Sequence, residues 1–250
     1  MRDSNERLRT EVAQMVDDVH GLISRLVAAK AVHDAVTATA TVERGQITVV
    51  TDASGAVREV EFGDYIDELN YHRIARGVVR AAQRAADEVR GKADDVLAPQ
   101  RSVRAQLPTL SDLVDRLPGA PEPELPPPPP ALRTPPSERE PLGHPADDTL
   151  ADRQQRRAEL YATATAEGRR VTASVNADGV LIDIQFSGAI GDLDYDEIAA
   201  AITDAARVAV ASVARKVAEL YAPTVADDRP AFPGPDILLA GLERLRDQLR

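Results

Sequence analysis

The sequence predicts an α+β protein. It reads as two tandem helix-β-β-β-helix units with antiparallel three-stranded meanders, forming an intramolecular pseudo-dimer joined by a Pro-rich linker. Three observations predict this. DASGAVREVEF at 52–62 returns as NADGVLIDIQF at 176–186, at a constant offset of 124. In both halves the apolar spacing changes from helical to alternating and back to helical, in the same order. Between the halves lies PEPELPPPPPALRTPPSEREP, a run in which proline removes amide donors and favours polyproline II over a packed fold.

Residues 5–36 read as one long helix. Leu8, Val12, Met15, Val19, Leu22 and Leu26 follow heptad spacing, a narrow apolar stripe that fits one partner helix, in its own unit, another unit or another chain. From Thr37 the pattern TATATVERGQITVVT alternates, which predicts two strands with a hairpin tip at Arg44-Gly45. Asp52 to Gly55 is a second turn, and Val57 to Phe62 the third strand. Asn70 caps a helix carrying Ile74, Val78, Ala82, Ala85, Val89, Ala93 and Val96, and Pro99 is expected to end it.

The second half repeats the order. A shorter leading helix covers roughly 148–160, strands cover 162–166, 170–175 and 181–186, and the turn is Asn176 to Gly179. Asp194 with Glu197 forms a capping box, and Ile198, Ile202, Ala206, Ala209, Val213, Val217 and Leu220 mark the helix, with Pro223 at its end. The expected domains are unit 1 at 1–99, a Pro-rich linker at 100–146 with a short amphipathic helix at 107–117, unit 2 at 147–223, and a linker with a C-terminal amphipathic helix at 224–250. The proline-rich stretch reads as a semi-rigid spacer, with a docking ligand for an aromatic-lined domain as the alternative. In the last helix Ile237, Leu238, Leu242, Leu245 and Leu249 share one side, which predicts docking on the chain itself or in a partner's groove.

Several function classes are excluded by composition. The chain has no Cys, so disulfides, thiolate metal sites and a Cys nucleophile are absent. His20, His33, His72 and His144 lack metal-ligand spacing, and no GxSxG, P-loop or GxGxxG occurs. DLDYDE at 192–197 lacks the glycine and distal Glu of a calcium loop. The expectation is therefore no enzyme, no cofactor and no metal. The charged N-terminus has no apolar h-region and no long apolar run follows, so neither a signal peptide nor a membrane partner is expected, and the reading is cytoplasmic.

The basic residues carry the functional reading. Arg73, Arg76, Arg80 and Arg84 share a helix face about 16 Å long, a length that can track a phosphate backbone. The alternative is a solvated face paired with Asp67, Glu68 or Asp87. The second unit lacks this stripe and offers Arg169 and Arg170 at the hairpin, with Arg215 and Lys216 late in its helix. With a formal net charge of −11, nucleic acid is repelled on average, so any binding needs a local basic patch.

The meander and its exit, VTDASGAVREVEFGDYI and VNADGVLIDIQFSGAI, each followed by a capped helix, resemble the YbaB/EbfC family of bacterial nucleoid-associated proteins. The resemblance covers about residues 5–99 and 148–223. It implies a homodimer-like arrangement, here within one chain, and binding of duplex DNA with little sequence preference at the nucleoid. Some actinobacterial relatives lie near specialised secretion genes, so the alternative is an interaction scaffold or secretion accessory that keeps the fold without binding DNA. A protein partner and self-association through sheet edges or the heptad helix stay open.

Overall fold

The computed structural model describes residues 21, 24–25, 27–105, 128–138 and 149–222. They belong to two units. In one, residues 27–34 are helical and Lys30 pairs with Asp34 at 2.6 Å. The heptad positions Leu8 to Leu26, the helix expected at 107–117 and the C-terminal helix with Ile237, Leu238, Leu242, Leu245 and Leu249 lie outside the described residues. The other unit, Ala35–Ala222, holds both repeats.

The first repeat contains β1 (Thr37–Val42), β2 (Ile47–Asp52), β3 (Val57–Phe62) and the helix α1 (Tyr71–Ala105). The second contains α2 (Leu150–Glu159), β4 (Tyr161–Ala166), β5 (Val171–Asn176), β6 (Leu181–Phe186) and α3 (Tyr195–Tyr221). Every strand start is displaced by 124 residues between the repeats, as the sequence offset requires. Each sheet is an antiparallel meander, ordered β1-β2-β3 and β4-β5-β6.

Local chemistry explains the turns. Between β1 and β2, Glu43, Arg44 and Gly45 have φ of 51°, 58° and 92°; between β4 and β5, Glu167, Gly168 and Arg169 have 47°, 60° and 69°. Three successive left-handed residues reverse the chain, and each repeat places its glycine at a different one of them. The next turns are built on Asp52 and Asn176. Their side-chain Oδ1 accepts from the Ser54 and Ala56 amides (2.9 and 3.2 Å), and from the Asp178 and Val180 amides (both 3.0 Å). Gly55 and Gly179 follow at φ of 85° and 82°. Asn70 caps α1 by accepting from the Arg73 amide at 2.9 Å, and Asp194 with Glu197 closes the capping box of α3.

Packing crosses between the repeats. α1 lies against β1 and β2 of its own repeat and β6 of the other; α3 lies against β4 and β5 and β3 of the other. The aromatic contacts show the same reciprocity. Phe62 meets Tyr195 edge-on at 6.4 Å, and the equivalent residues Phe186 and Tyr71 meet at 6.0 Å. Burial pushes the Tyr195 phenol above its ordinary pKa, and Tyr71 and Asp67 add to the rise. The result is one apolar core shared by both repeats, centred on Ile47, Ile74, Val78, Val171, Leu181, Ile198 and Ile202.

Among the described residues the two sheets are separate, and exchanged helix packing joins the repeats. Phe62 and Phe186 are half-buried, and each reaches the tyrosine opening the other repeat's helix. One expectation changes, at Pro99. Pro99 does not end α1, which runs on to Ala105. Proline's own φ is helical, so it removes one hydrogen bond and crowds the preceding turn without forbidding continuation. In α3 the helix does stop, with Ala222, the residue before Pro223, at ψ 136°.

Candidate nucleic-acid interface

The arginine stripe sits on the first four turns of α1, opposite the face that buries Ile74, Val78, Ala81, Ala82 and Ala85. All four guanidinium-bearing residues are exposed. Two of them converge on one carboxylate. Arg73 Nη2 lies 2.7 Å from Glu43 Oε2, its Nε donates to the same oxygen at 2.8 Å, and Arg80 Nη2 pairs with Glu43 Oε1. Glu43 stands at the left-handed hairpin tip, which carries it over the start of α1, where its side chain is only 9% exposed. Burial pushes its pKa upward, but the hydrogen bond from Arg73 and the charges of Arg73 and Arg80 outweigh this and hold it below the ordinary carboxylate value.

The counter-charge is thus Glu43, thirty residues or more away in sequence from its partners, and not Asp67, Glu68 or Asp87. Arg76 and Arg84 have no acidic partner among the described residues. They are one and three turns into the helix, on the same exposed face, so two full positive charges remain available there.

The second repeat does something else at these positions. Its equivalents are Glu197, Ala200, Asp204 and Val208. Arg169 is exposed at the hairpin tip and Arg215 is exposed on α3. Arg170 lies 3.6 Å from Asp192. Lys216 donates to the Tyr161 carbonyl at 2.9 Å and sits 5.8 Å from the Tyr161 ring centre, an arrangement that ties α3 to the first residue of β4. Lys92 makes the equivalent bond to the Thr37 carbonyl at 3.4 Å, so this lysine pair has a place in the architecture. The stripe of the first repeat and the scattered bases of the second are therefore not equivalent surfaces.

The described residues contain no cluster of acidic and histidine side chains suited to a metal, and none of their helices is long and apolar enough to cross a membrane. What they do contain is a meander, a capped long helix and a basic helix face. Residues 146–227 match the YbaB/EbfC DNA-binding family.

The matched residues span α2 through α3, the whole second repeat. The first repeat has the same strand order and spacing, and the same turn and cap positions. No curated protein and no solved structure matches the chain. The YbaB/EbfC match makes duplex DNA the partner to test against the exposed arginines.

Proposed function

We propose that this protein is a nucleoid-associated, non-enzymatic protein that binds duplex DNA with little sequence preference. It does so as a single-chain pseudo-dimer whose two halves are unequal, with the phosphate contacts concentrated on the first. The observation that carries this is the exposed pair Arg76 and Arg84, with no acidic partner among the described residues, on a chain of net charge −11. Holding free cations on one face of an acidic protein creates a local attraction that the average charge would cancel.

Arg73 and Arg80 act beside them. Their pairing with Glu43 orients both side chains, and each retains exposed N–H groups for a second, anionic partner. Arg169 and Arg215 extend the contact set on the second repeat, where Arg170 and Lys216 add charge from more constrained positions. The rise between Arg76 and Arg84 along α1 is about 12 Å, which allows contact with successive phosphates along a groove. No aromatic residue stands among the exposed arginines of the stripe, so base stacking has no platform and recognition falls to phosphates and duplex shape.

The test is an anisotropy titration of the full chain with unrelated duplex sequences at two salt concentrations. Similar affinities for all sequences, falling steeply with salt, support the proposal. Absence of binding at about 50 mM salt, where phosphate contacts are strong, sinks it and leaves an interaction scaffold as the better account.

A further inference from the structure

The pseudo-equivalent faces of the molecule form two grooves, each between the first half of a long helix and the third strand of the other repeat. One is lined by Asp196, Ala200, Thr203 and Asp204 of α3 with Arg58 and Glu61 of β3. The other is lined by His72, Arg76 and Arg80 of α1 with Ile182 and Ile184 of β6, and also by Pro135 and Glu138 of the linker. Among the described residues, the chain's own proline-rich segment lines the second groove and not the first. Residues 128–138 are thus docked on the molecule, where their composition predicts a semi-rigid spacer.

The docking is specific. The Leu132 amide donates to the Ala158 carbonyl at 3.0 Å, using one of the orphan acceptors in the last turn of α2. The Leu132 carbonyl accepts from the buried Asn176 side chain at 2.7 Å. The Arg133 carbonyl accepts from Gln83 at 2.9 Å, and its guanidinium forms a two-pronged pair with Asp87, one prong at 2.9 Å. That pair lowers the Asp87 pKa, with the Arg133 hydrogen bond as the main cause, and raises that of Arg133. The other groove offers none of these anchors. Asn176 becomes Asp52, whose side chain has no N–H to give; Asp87 becomes Ala211, Gln83 becomes Arg207, and Ile182 becomes Arg58. The segment therefore fits one of two otherwise equivalent faces, and that face is the one bearing Arg76 and Arg80.

We propose that residues 128–138 are an internal latch that competes with duplex DNA for the α1–β6 face, so that DNA affinity is set by how often the latch is open. This rests on the DNA-binding reading. The latch brings Pro135 and the acidic Glu138 into the groove that Arg76 and Arg80 line, so a duplex entering that groove meets the latch and its negative charge. A binding-competent state populated for only a fraction of the time lowers apparent affinity by that fraction.

The experiment uses two full-length variants, Arg133→Ala and Arg133→Glu. Arg133 is 47% exposed, so neither empties the core. Both remove the pair with Asp87, and R133E adds repulsion. Each makes the protein more negative, which by charge alone weakens DNA binding. The latch predicts the opposite sign: affinity for a random duplex rises about 3–10-fold, more for R133E than for R133A. A second readout follows exchange of the Leu132 amide, which should lose protection in both variants and in the wild type when duplex is added. Tighter binding together with loss of Leu132 protection on adding duplex supports the proposal. Weaker or unchanged binding by the variants, with Leu132 equally protected in the wild-type complex, overturns the latch and leaves DNA binding standing. If no form of the protein binds duplex while R133E still exposes Leu132, the docking is real but the DNA function fails, and the competition fails with it.

Discussion

Along the first turns of α1 the outward positions are Arg73, Arg76, Arg80 and Arg84; along α3 the same positions are Glu197, Ala200, Asp204 and Val208. The inward positions barely differ. Ile74 matches Ile198, Ala81 matches Ala205 and Ala82 matches Ala206, and all six are at most 1% exposed. The two helices share one core and have divergent exteriors. Burial constrains volume and apolarity at each inward position, whereas an exposed position can change charge at a cost within about 0.5 kcal/mol. The two repeats thus have the same architecture, and only the first has the arginine stripe.

The largest effect that can break this comparison is at the reciprocal aromatic pairs. Phe62→Ala and Phe186→Ala should each cost about 2–3 kcal/mol, less than a fully buried Phe because both rings are half-buried. The two losses should be similar in denaturant unfolding, and both should relax the shared core in one cooperative transition. Two separate transitions, or a loss at only one site, would show that the repeats do not depend on each other as the crossed packing implies.

A second test concerns how each repeat divides volume between helix and sheet. In the first, Gly77 faces Ile47, and a Cβ built on Gly77 would stand 2.5 Å from Ile47 Cδ1. In the second, the pair is Ala201 and Val171, with one methyl group moved from sheet to helix. Gly77→Ala should therefore destabilise by about 1–2 kcal/mol, although the same change in an open helix stabilises by up to about 1. Adding Ile47→Val, which installs the second repeat's combination, should recover most of the loss. An increase in melting temperature for G77A alone would contradict the packing.

The smallest expected effect lies at a buried hydroxyl. Thr51 is fully buried and its Oγ1 has no hydrogen-bond partner among the described residues; the second repeat has Val175 there. Thr51→Val should raise stability by about 1 kcal/mol, the cost of leaving that hydroxyl unpaired. A loss on this substitution would mean that the hydroxyl has a partner.

Much of the fold was legible in the sequence because its signals are local. Gly55 and Gly179 sit at the positive φ their turns demand, and Asn70 and Asp194 cap the helices they precede. Apart from Pro99, which α1 runs through, the illegible parts are contacts between distant segments. Nothing in the alternation of β3 or β6 says which helix covers it, so the exchange that joins the repeats could not be read. Glu43 is the counter-ion of Arg73 and Arg80 because a hairpin tip lands on α1, a placement invisible to spacing along one helix. The linker's composition predicts an extended chain but not the face it docks on. The stripe itself was legible as a face, and its division into two arginines paired with Glu43 and two without an acidic partner among the described residues was not.

The central claim is that the phosphate contacts are concentrated on the arginine face of α1 and not on the equivalent face of α3, at Glu197, Ala200, Asp204 and Val208. It is tested most directly by two double variants matched in charge and in position. Arg76→Ala with Arg84→Ala, and Ala200→Glu with Val208→Glu, each change the net charge by −2, at equivalent exposed sites. The slope of log K against log salt for a random duplex should flatten by about 2 in the first variant, at about 0.9 for each phosphate no longer neutralised. In the second it should stay at the wild-type value. Equal flattening in both would show that only overall charge matters, and flattening confined to the α3 variant would place the interface on the second repeat, against the account.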